Sequence, residues 1–278
     1  MSRFGRSDGR WGDRWGGGFV VAVVLLLAGA AWLGNYLAGW LGETPASTED
    51  PTGVSGDGSL PGGEVGQWAG TGEYPKALNV YFLQAHALRS QEKAAEAARS
   101  LEAMGVPAAV THDGEWYKVI IGAYGSKDAA DAAKASAEIT TELPLYANHV
   151  TIPGDPPALP ATAEAQTPYT QGVAALNNFM HLAAAWWDRY ATAGIPDPAD
   201  QVVYQTQQLE AVAQALAPHA TDPAVSDLLR VTQLAVTTGR QMGQITPQVQ
   251  PGDAAYQDAM RSYVTLVDTY RAWAGSAW

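Results

Sequence analysis

The chain has 278 residues, a formal net charge of −12 at pH 7 and a pI near 4.7. That acidity argues against nucleic acid as a partner, because sequence-independent binding rests on Lys and Arg neutralising phosphates. With no cysteine in the sequence, disulfides, thiolate metal sites and cysteine nucleophiles are excluded.

Arg3, Arg6, Arg10 and Arg14 mark a basic tail, residues 1–15, and no charge follows from Gly16 to Gly42. A helix needs about 20 apolar residues to cross a hydrocarbon core of ~30 Å, so residues 16–42 are predicted to span a membrane. The basic bias before the span puts the amino terminus in the cytoplasm and everything after Gly42 outside. Ala28-Gly29-Ala30 also has the small–x–small form of a cleavage site, so a removed signal peptide is the alternative. The apolar run continues for about ten residues beyond that site, which favours an uncleaved anchor. Residues 43–75 hold Pro45, Pro51 and Pro61 among many Gly, Ser and Thr, with no apolar periodicity. Such a composition buries too little surface to offset its ordering entropy and predicts a flexible tether.

Residues 76–152 read as one unit written twice. Asn79 to Ala85, the segment Ser90 to Arg99, and Val106 to Thr111 form the first copy. Trp116 to Gly122, Ser126 to Lys134, and Leu145 to Ile152 form the second, and an offset of 36 residues lays Ser90 on Ser126. A strand–helix–strand unit repeated once predicts a βαββαβ domain, four antiparallel strands with two helices on one face. Ser90 and Ser126 are the expected N-caps, and Met104-Gly105 the expected stop of the first helix. Alternation puts Tyr81, Leu83 and Ala85 under the helices with Tyr117, Val119 and Ile121. The other face then carries Phe82, Gln84 and His86 beside Trp116, Lys118 and Ile120.

This stretch resembles the SPOR domain, the sporulation-related repeat. Tyr81-Phe82-Leu83-Gln84 matches that family's first strand, Gly105-Val106-Pro107-Ala108-Ala109 its turn, and Trp116 to Tyr124 its third strand. His86 and Leu88 depart from it, standing where glycine and phenylalanine are usual. The resemblance implies binding of peptidoglycan glycan strands stripped of stem peptides at division or sporulation septa, with Gln84 and Trp116 as the leading contacts. The chemistry agrees: an aromatic plane packs on sugar C–H faces, and a side-chain amide both donates to and accepts from hydroxyl and amide groups. The expected glycan-binding residues are Phe82, Gln84, His86, Trp116, Lys118 and Ile120. The alternative is that another part of the chain covers this face.

Residues 153–166 form a proline-rich boundary. Beyond it, residues 167–278 predict an all-α bundle. Thr167-Pro168, Asp197-Pro198 and Asp222-Pro223 each pair an N-cap residue with a proline at the first helical position. Val173, Leu176, Met180, Ala183, Trp187 and Tyr190 follow helical spacing, as do Tyr256, Met260, Tyr263, Val267 and Tyr270. Trp186-Trp187 has the spacing of core residues, with an interfacial anchor or a partner site as the alternative, and Asp188 and Glu210 suit a solvated surface. The bundle is the expected site for division or sporulation partners. The histidines show no metal spacing, and no nucleophile elbow or phosphate loop occurs. The fold class is therefore α+β behind a membrane anchor, and the function non-catalytic, without cofactor or metal. A structural or partner-recruiting role is the competing class, and a wall hydrolase the third.

Overall fold

The computed structural model describes residues 76–156, 158–194 and 199–275. The predicted basic tail, span and tether lie outside the described residues, and among those described no helix is long and apolar enough to cross a membrane.

The duplicated unit forms β1 (Leu78–Leu88), α1 (Gln91–Ala103), β2 (Ala109–His112), β3 (Tyr117–Tyr124), α2 (Lys127–Thr141) and β4 (Tyr146–Ile152). The strands lie in the order β2-β3-β1-β4, each pair antiparallel. Both predicted caps form: Ser90 Oγ accepts from the Lys93 amide at 3.4 Å and Ser126 Oγ from the Ala129 amide at 3.3 Å. Glu92 and Asp128 sit in the first turns, where the helix dipole favours a negative charge. The stop after Met104 is a Schellman turn. Gly105 takes φ +82°, and the amides of Val106 and Gly105 reach the carbonyls of Leu101 and Glu102, each at 3.0 Å.

The carboxy-terminal helices are α3 (Ala163–Ala193), α4 (Asp200–Leu216), α5 (Pro223–Met242) and α6 (Ala254–Trp273). Asp222 caps α5 through the Ala224 amide at 2.9 Å, with Pro223 at the first position, as its sequence predicts. Thr167-Pro168 is not a start. α3 begins at Ala163 and Pro168 lies inside it, because Ala165 and Tyr169 are both buried and the first turn is held by packing. The Asp197-Pro198 signal lies outside the described residues. Trp186 and Trp187 are core residues, as their spacing predicts. The Trp187 ring meets those of Trp186, Tyr256 and Tyr263 at centroid separations of 4.9, 5.5 and 6.0 Å.

The bundle and the sheet share one core. β3 is buried at every position from Val119 to Tyr124, the pattern of a strand covered on both faces. α1 and α2 pack on β1 and β3; α6 packs on β3 and β2, and α3 on β3 and β1. Polar contacts fix the joint. Asn177 of α3 accepts from the Lys76 amide at 3.2 Å and donates to the Lys76 carbonyl at 2.9 Å and to Tyr270 at 3.1 Å. Arg261 of α6 pairs with Glu102 at the end of α1. Asp188, expected at a solvated surface, is half-buried and accepts from the Gly125 amide at 2.8 Å. Ala184 packs against that same glycine, so a larger residue there would hold the helix away. Glu210 does lie toward the surface, paired with Arg240 at 2.9 Å.

Candidate functional site

The β2–β3 turn builds one side of the site. Asp113-Gly114 is a tight-turn dipeptide, and Gly114 takes φ +99°, which a side chain resists. Asp113 Oδ1 accepts from the amides of Glu115 at 3.0 Å and Trp116 at 2.7 Å, and Oδ2 meets Lys118 Nζ at 2.9 Å. The Trp116 amide, then the Lys118 ammonium, hold the Asp113 carboxyl well below the usual carboxylate range. One aspartate therefore sets the positions of two predicted contacts. Arg89 lies 4.7 Å from the Trp116 ring centroid, a cation–π distance, and reaches Glu115 at 3.5 Å.

Register decides which predicted residues share a face. Gln84 lies opposite Ile120 on β3 and Tyr146 on β4, while Phe82 lies opposite Asn148. Partners across an antiparallel pair share a face, so Gln84, Ile120, Tyr146 and Asn148 fall together with Phe82, and Lys118 follows two residues from Ile120. The Asn148 side-chain amide donates to Gln84 Oε1 at 2.9 Å.

Three corrections to the predicted open face follow. Phe82 and Ile120 have 0% exposed surface, because the sheet at their level is covered on both sides. His86 pairs with Val119 rather than with a predicted contact, and the register is irregular on both sides of Gln84. Ala87 takes the place expected for His86, opposite Lys118. The His86 backbone stays out of the left-handed region, so a side chain there meets no backbone strain.

What remains accessible is one end of the sheet: Gln84, Trp116, Lys118 and Asn148, each partly exposed, and Tyr146, 60% exposed. Sequence reasoning missed Tyr146, Asn148, Arg89 and Asp113. The Asp-Gly pair was a readable turn signal for Asp113; the others emerge only from the strand register and the turn geometry. Among the described residues no cluster of His, Cys, Asp or Glu could hold a metal ion. The arrangement offers neutral amides, aromatic planes and a cation balanced by its own aspartate. It suits a polar, uncharged ligand with apolar ring faces.

The family model of the SPOR domain matches residues 77–141, from the start of β1 to the end of α2, so the chain carries that domain. No curated protein and no solved structure matches the chain.

Proposed function

We propose that this chain is a non-catalytic, membrane-anchored peptidoglycan-binding protein. Its SPOR domain recognises glycan strands stripped of stem peptides at division or sporulation septa, and its carboxy-terminal bundle is the part it brings there. The anchor is the 16–42 segment, with the amino terminus cytoplasmic and the sheet and bundle outside. The observation that carries the reading is the accessible end of the sheet. Gln84 and Trp116, the residues that the family resemblance marks as contacts, both stay partly exposed there, beside Lys118 and Asn148. Stem peptides would crowd so small a surface, and a bare strand would not.

Retention of the full-length chain on purified sacculi tests this. Gln84→Ala with Trp116→Ala should abolish most retention; retention unchanged by the pair would sink the sheet-face mechanism. A tagged chain should gather at septa, and an even peripheral signal would count against targeting.

The burial of Phe82 and Ile120 favours a second reading, in which the bundle has taken over part of the face and the sheet serves mainly to hold it. In that case neither sacculus binding nor septal enrichment depends on Gln84, and the chain recruits partners through the bundle.

A further inference from the structure

We propose that Gln84 and Asn148, with Tyr146 beside them, form a subsite that reads the acetamido group of an N-acetylated amino sugar. This rests on the glycan-binding reading above and specifies its ligand.

A primary amide carries two N–H donors and one carbonyl acceptor. The bond from Asn148 Nδ2 to Gln84 Oε1, at 2.9 Å, commits one donor and one acceptor. What the pair keeps is an NH₂ group on one residue and a carbonyl on the other. Exchanging the oxygen and nitrogen positions on both side chains reverses the bond and leaves the same pair of functions, so the conclusion is independent of amide orientation. An acetamido group presents one carbonyl and one N–H, the complement of that pair. A plain hydroxyl group uses only part of it.

Charge points the same way. The two amides are neutral, and Lys118 is already matched by Asp113 at 2.9 Å. Among the described residues, a carboxylate or phosphate ligand would meet at Lys118 a cation already compensated by Asp113, and neither amide offers an ammonium an anion. Tyr146 is 60% exposed and is the β4 partner of Gln84 in the strand register. It supplies an apolar plane for the acetyl methyl group or a pyranose C–H face. Tyr146 and Asn148 belong to β4, beyond the segment 77–141 matched by the family model. This half of the subsite is therefore specified by the chain's own register.

The test uses the full-length chain bound to purified sacculi, with soluble tetrasaccharides as competitors: N-acetylglucosamine oligomer against the same oligomer fully de-N-acetylated. The acetylated oligomer should displace the chain at a concentration roughly tenfold lower, the scale of one well-placed amide recognition. Asn148→Ala should bring the ratio close to one while leaving the circular-dichroism spectrum unchanged. Asn148→Asp should reverse the preference, because a carboxylate there favours the ammonium of the de-N-acetylated sugar. Equal competition by the two oligomers against the unmodified chain would overturn the subsite and leave sacculus binding intact. A preference that survives Asn148→Ala would overturn it as well. No retention on sacculi at all would overturn the glycan reading, and the subsite with it.

Discussion

Asp188 accepts a hydrogen bond at 2.8 Å from the amide of Gly125, 63 residues earlier in the chain. The bond joins the middle of the bundle to the turn between β3 and α2. The Ser126 hydroxyl and amide add to it, and burial outweighs them all, pushing the Asp188 carboxyl up. Asp188→Ala leaves the half-buried Gly125 amide without its acceptor. The expected loss is about 1–3 kcal/mol, measured as a lower urea midpoint with an unchanged slope.

The same residue predicts a pH dependence. Its folded pKa lies above its unfolded value near 3.8, so its contribution is full below that value and falls as pH rises through the folded one. Asp188→Asn keeps the shape without the charge. Its stability relative to the unmodified chain should therefore improve as the pH rises above about 4. A difference that stays constant over that rise would contradict the assignment.

Asp113 should behave in the opposite sense. Its folded pKa is depressed, so it stabilises the fold above the unfolded value near 3.8, and the contribution disappears as pH falls. Asp113→Asn should narrow the acid-induced loss of stability. It should also weaken sacculus retention at neutral pH, because Trp116 and Lys118 are held by that carboxylate. Full retention by this variant would show that the turn does not position the contacts.

Gly122 has no room for a side chain. A Cβ there would lie 2.8 Å from Cε2 and 2.9 Å from the hydroxyl oxygen of Tyr124, which is itself buried. Gly122→Ala must push that ring into its neighbours and should cost about 1–3 kcal/mol. Calorimetry should show the melting temperature lowered by several degrees; an unchanged melting temperature would mean the ring has another place to go.

Trp187→Ala removes the ring at the centre of the aromatic cluster and should cost about 3–5 kcal/mol. Because the cluster includes Tyr256 and Tyr263, on the helix packed against β3, protection of the β3 amides against hydrogen exchange should fall together with that of α3. Loss confined to the bundle would mean that the two parts unfold separately.

Local signals in the sequence were strong where chemistry is local. The repeat, its two serine caps, the glycine stop and the Asp222-Pro223 start follow from side chains acting within a turn of their own backbone. The faces of the sheet were harder. Alternation alone carries no information about a slip, and the irregularities on either side of Gln84 pair it with Ile120 and leave His86 opposite Val119. Thr167-Pro168 misled for a related reason, since the packing of Ala165 and Tyr169 extends α3 past a proline. The sequence allows burial of Phe82 and Ile120, but nothing local to either residue tells where a distant helix comes to rest.

The burial of both faces of β3 bears on inheritance. A recognition domain that folds alone can be copied, moved and joined to any neighbour, since its surface is complete. Here the sheet's surface is completed by the helices after it, so a gene segment ending near residue 152 would encode a protein with raw apolar flesh on one side. Sheet and bundle must then change together: a substitution in α6 that alters its packing on β3 is also a substitution in the ligand site's support.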